Sequence, residues 1–136
     1  MYSYNKRILT VLLIGMLFMT SCQEKRLDRF ERETKEYTIR NCPKQIDEIT
    51  TLDSLVFRND GSLNYSYHYS VKLNEEQRSE FKKKSSDIEE STLKTLRNSI
   101  ELKAVKEAGL NIECIYVDAQ TGKTISKFHF TREQYQ

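Results

Sequence analysis

The reactive side chains of this 136-residue chain are few: the thiols of Cys22, Cys42 and Cys114 and the imidazoles of His68 and His129. A thiol beside an imidazole is the smallest constellation for nucleophilic catalysis, because the imidazole can draw off the thiol proton. Cys114 with His68 or His129 would make such a pair, a thiol-dependent enzyme, yet no nucleophile motif surrounds the cysteine. The plainer reading makes Cys114 a small buried hydrophobe on the strand face of Ile112 and Tyr116, and both histidines exposed or cross-strand residues. Neither C-x-x-C nor H-x-x-x-H spacing occurs, so no zinc site is expected. Asp118-Ala119-Gln120-Thr121-Gly122-Lys123 offers a single carboxylate, too few for calcium, and reads as a turn. The expectation is a protein that is not an enzyme, with no catalytic residues, no metal and no cofactor.

The third thiol stands in a different setting. Lys6-Arg7 precedes the apolar run Ile8 to Met19, and Thr20-Ser21-Cys22 follows. As a helix the run would span about 18 Å, well short of the ~30 Å hydrocarbon core, so it reads as the apolar part of a signal peptide rather than a membrane span. Met19-Thr20-Ser21-Cys22 resembles the lipobox of bacterial lipoproteins, with Met19 where leucine is usual. An ordinary secretory signal is the alternative. The resemblance implies removal of residues 1–21, acylation of Cys22 with palmitate-type chains, and anchoring in the membrane. Two or three chains, at ~0.8 kcal/mol per buried CH₂, hold stably where one would not. No acidic cluster follows Cys22, which favours a cell-envelope position on the outer membrane facing the periplasm. Cys42 and Cys114 are then an even pair in an oxidising compartment. A disulfide between them would close a loop of about 70 residues and contribute roughly 4 kcal/mol in the chain-entropy model. The sequence leaves both thiol states open.

Charge divides the same way. The chain has 22 Lys+Arg against 20 Asp+Glu. Residues 1–21 carry Lys6 and Arg7 and no acid, so the remainder is neutral, which argues against a nucleic-acid partner. Length and composition suit one small domain.

Residues 22–40 are dense in charge, with Leu27, Phe30, Thr34 and Tyr37 forming a thin helical stripe. They read as a charged, partly helical tether, or alternatively as a short helix docked on the domain or a partner. From residue 41 to 136 the pattern becomes that of a small α+β domain. Ile49 to Arg58 reads as a strand, Asn59-Asp60-Gly61-Ser62 as a turn, and Leu63 to Leu73 as a strand with Tyr65, Tyr67 and Tyr69 on its apolar face. That aromatic stripe is expected in the core, the alternative being an exposed platform for glycans or a protein. Asn74 with Gln77 predicts a capped helix to about Arg97, buried through Phe81, Ile88, Leu96 and Ile100. Asn98 with Glu101 predicts a second, shorter helix that ends at Ala108 before Gly109. Leu110 to Asp118 and Lys123 to Thr131 predict another hairpin. The sum is β-β-α-α-β-β: two antiparallel hairpins flanking two helices, which pack on one face of a four-stranded antiparallel sheet.

Asn41-Cys42-Pro43, Ile46-Asp47, Thr50 and Leu52-Asp53-Ser54, with the tyrosine strand and Ile115-Tyr116-Val117-Asp118, resemble a group of small envelope lipoproteins of Bacteroides-type bacteria. The resemblance covers nearly the whole chain and implies a compartment; it carries no activity and no catalytic residues. The functional expectation is a lipid-anchored envelope lipoprotein acting as a non-enzymatic binding or accessory module. Its partners would be the membrane, through Cys22, and an envelope protein. A periplasmic inhibitor or immunity protein against a toxin or hydrolase is the alternative.

Overall fold

Asn74 shows how local sequence starts an element. Its side-chain oxygen accepts from the Gln77 amide at 2.8 Å while the Gln77 side chain accepts from the Asn74 amide at 3.0 Å, so two amides at the start of the helix are satisfied reciprocally. A computed structural model describes residues 24–136; the signal segment and Cys22 lie outside the described residues. Residues 24–41 are helical (α1). The strands are β1 (Lys44–Gln45), β2 (Thr50–Asn59), β3 (Leu63–Val71), β4 (Asn111–Asp118) and β5 (Thr124–Phe130). The further helices are α2 (Glu75–Lys83), α3 (Ser85–Asn98), α4 (Lys103–Glu107) and α5 (Arg132–Tyr135).

The two expected hairpins are present, but the sheet joining them differs from the expectation. It has five strands in the order β1-β2-β3-β4-β5 and is mixed, because β3 and β4 run parallel. The other neighbours are antiparallel. The cause is the helical crossover: α2 to α4 carry the chain back to the end where β3 began, so β4 repeats its direction. The extra strand, β1, is two residues long and pairs at Leu52 and Thr51.

The helical connection also differs in detail. The expected single helix is broken at Lys84, whose φ of −92° and ψ of 8° leave the helical region. Ser85, Ser86 and Asp87 follow, short polar residues that compete for the backbone. Helix α3 ends at Asn98, so Ile100 falls out of phase and is 87% exposed instead of buried. Gly109 sits where it was expected, at φ +68°. The Gly109 amide donates to Lys106 and the Leu110 amide to Val105, a Schellman closure that needs the left-handed residue.

Inward side chains of the sheet face the helices. Phe57, Ile112, Cys114, Phe128 and Phe130 meet Leu96, Leu102 and Val105 in one cluster. The tyrosine stripe lies on this face, as expected. Tyr67 stacks on Tyr69 with ring centroids 6.2 Å apart, and Tyr69 on Tyr116 at 5.0 Å. Residues 24–41 are more than a free tether. Phe30 is 5% exposed, packs against Phe57 and Tyr65, and Thr34 beside it is buried. The charge density of this segment belongs to its outer face, and the thin apolar stripe is enough to seat it. Helix α5 has no counterpart in the expected elements. It buries Tyr135, whose hydroxyl donates to the Leu110 carbonyl at 2.6 Å.

Candidate functional site

Strand alternation separates the reactive groups. Cys114 faces the core and is 3% exposed, whereas the two neighbours it would need point to the other side of the sheet. His68 is in register with Ile115 and His129 with Glu113, one residue off Cys114 and so on the opposite face. The thiol-imidazole pair is therefore not formed. Burial, and behind it the Glu113 charge, pushes the Cys114 thiol up to about 12, so it remains a protonated core group. Cys42 and Cys114 are both free thiols. Cys42 follows α1, two residues before β1, and β1 is three strand spacings from β4. At about 4.8 Å each that is about 14 Å, against the roughly 7 Å limit between Cα atoms that a disulfide tolerates. The candidate bridge is not made.

The open face of the sheet carries a polar cluster that the sequence reading did not single out. Its centre is Glu113 on β4, which is 2% exposed. Ser66 donates to its Oε2 at 2.9 Å, and Lys127 Nζ and His129 Nδ1 approach Oε1 at 3.0 and 3.1 Å. Burial alone would raise the carboxyl, but the hydrogen bonds from Lys127, Ser66 and His129 outweigh it and hold it below the usual range. His68 is on the same face. Burial, with the Arg58 charge next, keeps its imidazole on the neutral side, and its Nε2 is buried with no partner among the described residues. Ser66 and His68 come from the polar half of alternating β3, whereas Glu113 shares its side of β4 with Ile115. The sequence showed that polarity, but the pairing across β3, β4 and β5 depends on register. Every oxygen of Glu113 is engaged from within the chain, so the cluster is a closed cross-strand knot.

Asp118 behaves as the expected turn residue and does more. Its Oδ1 accepts from the Gln120 amide at 2.8 Å, while Oδ2 receives Arg78 Nε at 2.8 Å and Nη2 at 2.6 Å. The Gln120 bond leads in holding the carboxyl low, with Arg78 behind it. The guanidinium ties α2 to the end of β4. Among the described residues no cluster of His, Cys, Asp or Glu is placed to hold a metal ion, and no helix is long and apolar enough to cross a membrane.

One surface that stays open lies where α1 meets β2. One face of α1, through Glu31, Thr34, Lys35, Thr38 and Ile39, borders Leu55, Val56 and Phe57 around a cavity of about 300 Å³. Ile39 is 81% exposed at its rim. At the inner end the Thr38 hydroxyl donates to the Leu55 carbonyl and accepts from the Leu55 amide, both at 2.9 Å. A side chain thus stands in for a neighbouring strand at one residue of the sheet edge. The arrangement can seat apolar groups and offers main-chain hydrogen bonding beside them.

Residues 25–126 match a family described as a domain of unknown function, DUF8479. No curated protein sequence matches the chain. Two solved structures share the fold. One is a Pseudomonas aeruginosa protein classed as secreted, with a TM-score of 0.70 at 10% identity, covering 84% of this chain and 96% of that one. The other is a pilotin of the type 2 secretion system of Vibrio vulnificus, with a TM-score of 0.61 at 6% identity, covering 84% and 94%.

Proposed function

The chain belongs to the DUF8479 family, and on that premise we propose that it is a lipid-anchored accessory protein of the bacterial envelope that binds another protein without catalysing a reaction. The observation that carries the reading is the division of the surface. Cys114 is in the core and Glu113 is held by three donors, while the apolar cavity between α1 and β2 stands open. Binding requires such a surface, whereas nucleophilic or acid-base chemistry requires reactive groups that open into it. The lipobox-like Met19-Thr20-Ser21-Cys22 supports acylation at Cys22 and a position on the outer membrane facing the periplasm. The fold shared with a protein classed as secreted and with a pilotin agrees with an envelope role.

Two measurements test the two halves of this reading. Labelled palmitate enters the wild-type protein, and Cys22→Ala loses the label and leaves the membrane fraction; a variant still labelled rejects the anchor. Chemical crosslinking in the intact envelope, read by mass spectrometry, returns one envelope protein joined through residues around the cavity. Crosslinks only within the chain reject the binding role.

A further inference from the structure

The cavity beside α1 borders a strand edge with unused hydrogen-bonding groups, and those groups specify what fits there. Leu55 points its amide and carbonyl away from β3, since both are taken by Thr38. Outward and inward groups alternate along an antiparallel strand, so Phe57 and then Asn59 turn theirs to the same outer edge. Their amides and carbonyls have no partner on that side among the described residues. Further along the edge β1 pairs with β2 at Leu52 and Thr51, so this edge already takes a strand. We propose that the open stretch from Phe57 to Asn59 binds an extended segment of a partner protein as an added strand. One apolar side chain of that segment sits between Ile39 and Leu55, inside the cavity. The inference rests on the binding role proposed above and names the partner's chemistry: a short extended stretch with alternating apolar residues and free main-chain amides.

The occupant is extended rather than helical because a helix spends its own amides and carbonyls internally, leaving Phe57 and Asn59 unsatisfied. Strand addition satisfies them and takes its selectivity from alternate side chains. Thr38 limits the added strand at one end, since it occupies Leu55, and the Asn59–Leu63 turn limits it at the other. The segment that fits is therefore about three residues long at the edge.

The test uses the full acylated chain in detergent and a displayed library of random octapeptides. Selected peptides should carry alternating apolar residues. A synthetic copy should slow hydrogen exchange at the Phe57 and Asn59 amides, and N-methylation of its edge-facing amides should weaken binding at least tenfold. Ile39→Asp, at an exposed position that leaves the core intact, should weaken it comparably. No enrichment, or peptides indifferent both to N-methylation and to Ile39→Asp, overturns the inference. A photoreactive residue placed at Ile39 and, separately, at Val117 on the open face keeps the two readings apart in the intact envelope. Crosslinks from Ile39 to an extended stretch of a partner support strand addition. Crosslinks from Val117 alone, or from neither position, overturn it; the binding role falls only if the envelope crosslinking above also returns crosslinks within the chain alone.

Discussion

Glu113 illustrates what a single residue does on the open side of the sheet. A carboxylate with almost no exposure would be costly without compensation, and it has three donors from two neighbouring strands. Because its folded-state carboxyl is held below the ordinary value, the stability it contributes is present above that value and is lost as pH falls through the folded one. Glu113→Gln keeps the shape and removes the charge. The expected loss is about 1 kcal/mol, since Lys127 and His129 reach the carboxylate from solvent, where screening weakens them. Thermal unfolding of the two proteins checks this. Their difference should shrink as pH falls from about 5 to 3, the range in which carboxylates titrate; a difference independent of pH there would show that the charge is irrelevant.

At the scale of elements, α1 holds most of the novelty. Its composition is that of a solvated tether, and its apolar stripe is only one residue wide per turn. Two of those residues, Phe30 and Thr34, are nevertheless buried, and Thr38 closes part of the β2 edge. Phe30→Ala should cost about 3 kcal/mol, the usual range for a buried phenylalanine, measured by urea unfolding. A loss below about 0.5 kcal/mol would return the segment to a loose tether. How much of the fold was legible varies by element. Both hairpins, the Asn74 cap and the Gly109 stop were readable, because each depends on residues within four positions of one another. The parallel β3–β4 pair, the break at Lys84 and helix α5 were not. The first depends on how the helical crossover returns, the second on a weak run of short polar residues, and the third on a contact between Tyr135 and Leu110 far apart in sequence.

For the whole molecule, α1 sets a direction. Its described part, residues 24–41, is 18 residues long and so spans about 27 Å. Phe30 lies toward the β2–β3 turn, and the helix ends beside β1. With Cys22 acylated, the 59–62 turn would stand near the membrane and the 46–49 turn at the far end. A fluorescent amino acid at Asp60 should be quenched by brominated lipid more strongly than one at Glu48 in reconstituted vesicles. Equal or reversed quenching would sink this orientation. The exposed Ile46 and its neighbour Ile49 would then face away from the bilayer.

The lipobox-like stretch before Cys22 carries the proposed address, and the sequence by itself determined the local pieces: the alternating strands, the caps and the neutral balance after residue 21. These follow from chemistry between near neighbours, so a linear reading suffices. Only the tertiary structure decided the rest. Strand parity put Cys114 on one face of the sheet and both histidines on the other, and sheet order kept Cys42 and Cys114 three strands apart. Register gathered Ser66, Lys127 and His129 around Glu113, and the seating of α1 left the β2 edge open from Phe57. Each of these depends on which distant segments become neighbours. Burial energy across the whole core chooses those neighbours, and no short stretch of chain contains that information.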